Sequence, residues 1–233
     1  MMETQATIEV TSEREIDGYQ LERFDRKVGR KGGGVLMYIR DDITPKREED
    51  LERDNIEALW CKIGKTTIGV CYNSTSNDAE QTALLERRIK HVCQTRDDVL
   101  ICGDFNRASI NWRELEANAA DIDFLDLTQD LFLTQHVLEP TRGSNVLDLV
   151  LSSDPDSVSD VKVCATLSVT CDHNVVEFSF KSDATKKCLS TTTSARQTGM
   201  ASRVTLNLLK NLNLSLVILK LNGTHSLMSS IKV

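Results

Sequence analysis

The chain has 233 residues, 40% hydrophobic and 27% charged, with a formal net charge of −7 and a pI near 5.2. That is enough for one large globular domain, or one domain and a tail. The acidic balance argues against a broad, non-specific nucleic-acid coat, while leaving room for a local basic groove or a metal site.

Seven cysteines are present, an odd number, and none form a Cys-x-x-Cys pair. Cys61, Cys71 and Cys102 lie in apolar, strand-like runs and read as reduced core residues of an intracellular protein. The start, Met-Met-Glu-Thr-Gln, has no apolar stretch of the secretory kind. The most apolar part of the tail is broken by Lys210 and Lys220, leaving too short a run to span a bilayer.

In chain order, residues 1–16 are polar, with Ile8 and Val10 scattered among them. Ile16 to Leu21 opens a turn and a short strand. Arg23, Arg26, Lys27, Arg30 and Lys31 then form a basic cluster, read either as a solvated loop or as a phosphate-steering patch. Gly32 to Gly34 lacks the spacing of a phosphate-cradling loop and leads into a strand at Val35–Ile39. Asp41 to Arg53 is a charged loop. Ile56–Ile63 and Thr66–Tyr72 are two strands joined by Gly64-Lys65, a hairpin signal. Ile68, Val70 and Tyr72 share a face of the second. Tyr72 stands last, as a rim-capping aromatic or as a phenol reaching a groove.

Asn77 or Asp78 can cap a helix over Ala79–Cys93, whose Leu85, Ile89 and Val92 fall on one face. Val99 to Asn106, Val-Leu-Ile-Cys-Gly-Asp-Phe-Asn, then reads as a buried strand ending abruptly at Gly103. By period two, Asp104 and Asn106 point together while Phe105 points into packing. A second helix is expected near Ile122–Leu131, with Ile122 and Leu125 buried and His136 structural beyond it. Pro140 to Asn145 is a loop. Val146–Leu151 is an apolar strand interrupted by Asp148, a charge that needs a buried partner, for which a histidine is the obvious candidate. Val158–Val169 is one more strand. Asp172 and His173 stand just before the alternating strand Val175–Phe180. From Lys181 the composition turns to Ser, Thr and Lys. Beyond it, Val204–Leu221 fits alternation and helical spacing equally well. The expected division is a domain over 1–180, a polar linker over 181–203 and a tail over 204–233.

The strand ends thus collect Tyr72, Asp104, Asn106, Asp148, Asp172 and His173, which are parts suited to phosphodiester hydrolysis. A carboxylate takes a proton from water or orients it, an amide and an imidazole steady charge on phosphorus oxygens, and a further carboxylate suits Mg²⁺. No Cys/His group has zinc spacing, and no Gly-x-Ser-x-Gly elbow is present.

Leu-Ile-Cys-Gly-Asp-Phe-Asn, Asn-Val-Leu-Asp-Leu-Val-Leu and Cys-Asp-His-Asn-Val-Val, in that order, resemble the motifs of the endonuclease/exonuclease/phosphatase superfamily. Within it the chain looks most like the apurinic-endonuclease-like domain of non-LTR retrotransposons, over roughly residues 15–180. The resemblance implies an α/β fold, a two-sheet, four-layer sandwich of the DNase I-like type, and Mg²⁺- or Mn²⁺-dependent nicking of DNA. It implies that Asp104 orients or activates water, Asn106 supports the transition state and contacts substrate, and Asp148 holds His173 against the scissile phosphate. Asp172 would be a metal ligand, Tyr72 a phosphate contact, and Thr141 a residue lining the DNA groove.

The family's first strand, with its metal-site Asn, has no match here. Glu3-Thr4 stands at about the right distance before Gly18 for the next strand's Glu-Thr, which makes Glu3 the second expected metal ligand. Cys171 replaces a usual Ser. The expectation is of a domain lacking its first strands and the reverse transcriptase module of full elements, intracellular, and nuclear if active. The alternatives are an inactive remnant that keeps the fold, or a phosphatase of the same superfamily.

Overall fold

The computed structural model describes residues 16–25, 34–54, 56–74, 79–165 and 172–181, together with the backbone of 201–209 and 214–221. Its elements are β1 (Tyr19–Asp25), β2 (Gly34–Arg40), β3 (Lys46–Arg47), β4 (Ala58–Ile63), β5 (Thr66–Tyr72), α1 (Ala79–Thr95) and β6 (Asp98–Asp104). After these come α2 (Ile122–Asp130), β7 (Thr134–Gln135), β8 (Asp148–Ser152), β9 (Val158–Cys164), β10 (Val175–Lys181), β11 (Ala201–Leu209) and β12 (Leu214–Leu221).

The strands form two six-stranded sheets, in the orders β1-β2-β12-β11-β10-β9 and β3-β4-β5-β6-β8-β7. β6 explains how they stack. Its sequence is apolar without alternation because both of its faces are buried. Leu100 and Cys102 turn to the core between the sheets, where they meet Met37 and Ile39 of β2 and Phe178 and Phe180 of β10. Val99 and Ile101 turn the other way, to a second core with Leu85, Ile89 and Val92 of α1 and Phe124 and Leu125 of α2. The α/β two-sheet sandwich expected of a DNase I-like chain is therefore what forms. Of its four layers, the described residues supply both sheets and one helical layer. The second sheet ends in strands of two residues, β3 and β7, and such short edges offer little to a passing strand.

Several local expectations meet the structure directly. The Gly64-Lys65 turn pairs β4 with β5 from Ile63↔Thr66 to Ala58↔Cys71. Cys61, Cys71 and Cys102 are free thiols in the cores, and burial pushes Cys61 up to about 12. The charged loop 41–53 is more ordered than its composition suggests. Arg47 donates to Glu52 and Glu22 at 2.8 and 3.1 Å and to the Arg23 carbonyl at 2.8 Å, tying β3 to β1, while Glu52 accepts from Trp60 N. In the basic cluster Arg23 pairs with Asp25. Its other members, and the capping candidates Asn77 and Asp78, lie outside the described residues.

The tail, left between helix and strand by its leucine spacing, forms strands. β11 pairs antiparallel with β10, and β12 runs parallel to β2, so this hairpin occupies the centre of the first sheet.

Candidate active site

The site stands at one end of the core between the sheets. β5 and β6 run parallel and finish together, and β8 starts beside them in the opposite sense. The register lines up Tyr72↔Asp104 and Asp104↔Asp148. By period two these three share the inner face with Val70, Cys102 and Val150. Gly103 permits the alignment. A Cβ there would sit 1.7 Å from the Cys71 carbonyl oxygen, and its φ is +148°.

Asp104 and Asn106 are adjacent, though not through the pleat. β6 ends at Asp104, Phe105 packs inward, and Asn106 adopts φ +53°, which folds its side chain back. Asn106 Nδ2 donates to Asp104 Oδ2 at 2.9 Å and to the Asn73 carbonyl at 2.9 Å, and Asn106 N donates to Asp104 Oδ1 at 3.0 Å. Asn73 was not singled out by sequence. It clamps the turn: its backbone N donates to Asp104 O at 2.8 Å, its Nδ2 to Phe105 O at 3.2 Å, and its Oδ1 accepts from Thr82 of α1. Its position directly after Tyr72 at the strand end was the available signal.

The buried partner of Asp148 is His173. Nδ1 lies 2.8 Å from Asp148 Oδ2, and each side chain is 2% exposed. The histidine arrives from the segment leading into β10, so the pair bridges the two sheets. Burial by itself would pull His173 down. The hydrogen bond that the ring donates to Asp148 and the charges of Asp148, Asp104 and Asp172 outweigh it, and the imidazole is held above its usual value. Burial, reinforced by the charge of Asp148, pushes the Asp104 carboxyl up to about 7, against the opposing pull of His173 and Asn106. A carboxyl titrating near neutrality is matched to moving protons at neutral pH.

Thr141 has a different place from the expected lining of a groove. It is fully buried, because its hydroxyl accepts from Leu147 N at 3.0 Å and Asp148 N at 3.1 Å, fixing the start of β8. Its carbonyl accepts from Asn174 N at 2.7 Å, which ties the loop to the His173 segment. Asp172, half-exposed, accepts from Arg142 Nη2 at 2.7 Å. Tyr72 is half-buried at the rim of the inter-sheet core. Glu3 lies outside the described residues.

The described side chains bring together Asp104, Asn106, Asp148 and His173, with Tyr72 in register and Asp172 next in sequence. Among the described residues, no three His, Cys, Asp or Glu side chains are grouped so as to hold a metal ion. The oxygens present suit a hard cation in kind, but Asp104 Oδ2, Asp148 Oδ2 and Asp172 Oδ2 already meet Asn106, His173 and Arg142. The described residues alone do not make a metal site.

Residues 66–177 match the family model described as endonuclease-reverse transcriptase. This span holds every described member of the site, and over it the resemblance to the endonuclease/exonuclease/phosphatase superfamily and its retrotransposon endonucleases holds. No curated protein matches the sequence. Among solved structures, the endonuclease domain of TRAS1, a telomere-specific non-LTR retrotransposon, aligns at 18% identity over 61% of this chain and 71% of its own, with a TM-score of 0.48. The 3′-5′ exonuclease NExo from Neisseria meningitidis aligns at 15% identity over 70% of this chain and 80% of its own, with a TM-score of 0.49. A Neisseria NExo 3′ phosphatase bound to a product DNA hairpin aligns at 14% identity over 70% of this chain and 79% of its own, with a TM-score of 0.47.

Proposed function

Taking residues 66–177 as an endonuclease-like span, we propose that the chain is a metal-dependent phosphodiesterase that nicks DNA, acting in the nucleus. The observation that carries this reading is the linking of the two sheets by Asp148 and His173 beside the Asp104–Asn106 pair. Asp148 fixes the ring through Nδ1 and leaves Nε2 to donate to a phosphate oxygen, where the imidazolium offsets developing charge. Asp104 accepts the proton of the attacking water, which its position near neutrality allows. Asn106, whose amide donates to Asp104 and to the Asn73 carbonyl, holds the Asp104 carboxyl in place, and Tyr72 closes the row as a phenol at the rim of the core. Asp172 and Glu3 would be the carboxylates to hold Mg²⁺ or Mn²⁺. When bound, such a cation supplies charge neutralisation at the phosphate.

The reading is tested by a double-mutant cycle in plasmid nicking. His173→Ala is expected to lower the rate by about 10²- to 10⁴-fold. Asp148→Ala should fall nearly as far, and the double variant hardly further, because the two act as one unit. Additive losses would contradict the pairing as the working element. A second reading is an inactive remnant that keeps DNA affinity. It expects duplex binding with no nicking at any metal concentration.

A further inference from the structure

We propose that Arg142 is a phosphate-binding residue of this site, gripping the backbone of the DNA substrate next to Asp172; this rests on the endonuclease reading above. Two arginines flank the site, and they differ in what is left of them. Arg107, next to Asn106, is tied to both Glu86 and Asp121 and lies over the Phe124 ring at 5.1 Å, with its side chain 11% exposed. It is a tie between the site turn and the two helices. Arg142 is paired with a single carboxylate oxygen, Asp172 Oδ2 at 2.7 Å, and its side chain stays 40% exposed.

A guanidinium has five N–H donors in a planar fork that matches phosphate geometry, and one carboxylate oxygen does not use them up. A half-exposed ion pair adds little stability, so the pairing does little to hold the fold and a phosphate can compete for the guanidinium. The platform beneath it is fixed. Arg142 N donates to Asn145 O at 3.1 Å and Asn145 N returns to Arg142 O at 2.9 Å. Thr141, one residue earlier, is locked to Leu147, Asp148 and Asn174. Arg142 is thus carried by the loop that sets Asp148, and it pairs with the neighbour of His173. A phosphate held there would stand one residue along the chain from the imidazole.

The test is anisotropy of a short labelled DNA duplex with the full chain in EDTA, titrated at several salt concentrations. R142A is expected to weaken binding about tenfold and to reduce the steepness of the salt dependence by about one. R142K should restore the slope but only part of the affinity. D172N, which removes the partner and keeps the cation, should bind at least as tightly as the wild type.

R142A with unchanged affinity and slope overturns the proposal. So does a D172N variant that loses affinity as R142A does, since that marks the pair as merely structural. A wild-type chain that nicks plasmid while R142A binds normally keeps the endonuclease reading and overturns the Arg142 site. A wild-type chain that binds with the expected R142A loss but never nicks overturns the endonuclease reading and supports the Arg142 site. A wild-type chain with no affinity for the duplex overturns both.

Discussion

At the scale of single residues, Asp104 is under opposing demands. Burial raises its folded-state pKa from 3.8 to about 7, so the folded chain binds more protons than the unfolded one between those values. The contribution of Asp104 to stability is therefore full below about pH 4 and is lost as pH rises through about 7. His173, also raised, acts in the same sense, losing its contribution as pH climbs past its usual range. Asp104→Asn is expected to raise Tm by several degrees at pH 8 and by little at pH 4, as measured by thermal melts in EDTA. A larger gain at pH 4 would contradict the account. The Asp148–His173 pair was legible in the sequence because a carboxylate inside an apolar run requires a partner, and few histidines were available. Thr141 was misplaced for a physical reason: a threonine hydroxyl is equally fit to meet a ligand or to accept backbone N–H groups, and residue type does not choose. Asn73 was missed because a lone Asn after a strand resembles any other loop residue.

At the scale of elements, β5 and β6 come so close at Gly103 that no side chain fits. Gly103→Ala would press a methyl into the Cys71 carbonyl, at an expected cost of about 3 kcal/mol or more and about 10 °C in Tm. A melt within 2 °C of the wild type would show that the strands can part there. α1 was legible because Leu85, Ile89 and Val92 repeat at helical spacing, and these are its buried residues. In α2 the sequence favoured Ile122 and Leu125, yet Phe124 is more deeply buried than Ile122. A short helix that also packs against Arg107 and Phe105 does not bury a single clean stripe. The tail was undecidable because leucines at 208, 212, 214 and 216 satisfy both periods. What decides is the pair of open ladders offered by β2 and β10. A chain ending at Lys181 would leave both unpaired. It is expected to aggregate, or to melt well below the full chain in light-scattering and thermal assays. A monomer with an unchanged melt would contradict a structural role for β11 and β12.

At the scale of the whole molecule, the two sheets are held by one core between them, and the site stands at one end of it. The parts of the candidate site therefore come from both sheets: Tyr72, Asp104 and Asp148 from one, and His173 from the segment leading into the other. This arrangement makes the site a reporter of correct sheet stacking. No helix among the described residues is long and apolar enough to cross a membrane. The most direct measurement is conversion of supercoiled plasmid to the nicked circle by the full chain, with Mg²⁺ or with EDTA, beside His173→Ala. Nicking that requires Mg²⁺ and disappears in His173→Ala is the predicted result. A folded chain that leaves plasmid intact in Mg²⁺, or that nicks equally well in EDTA or without His173, would contradict the account.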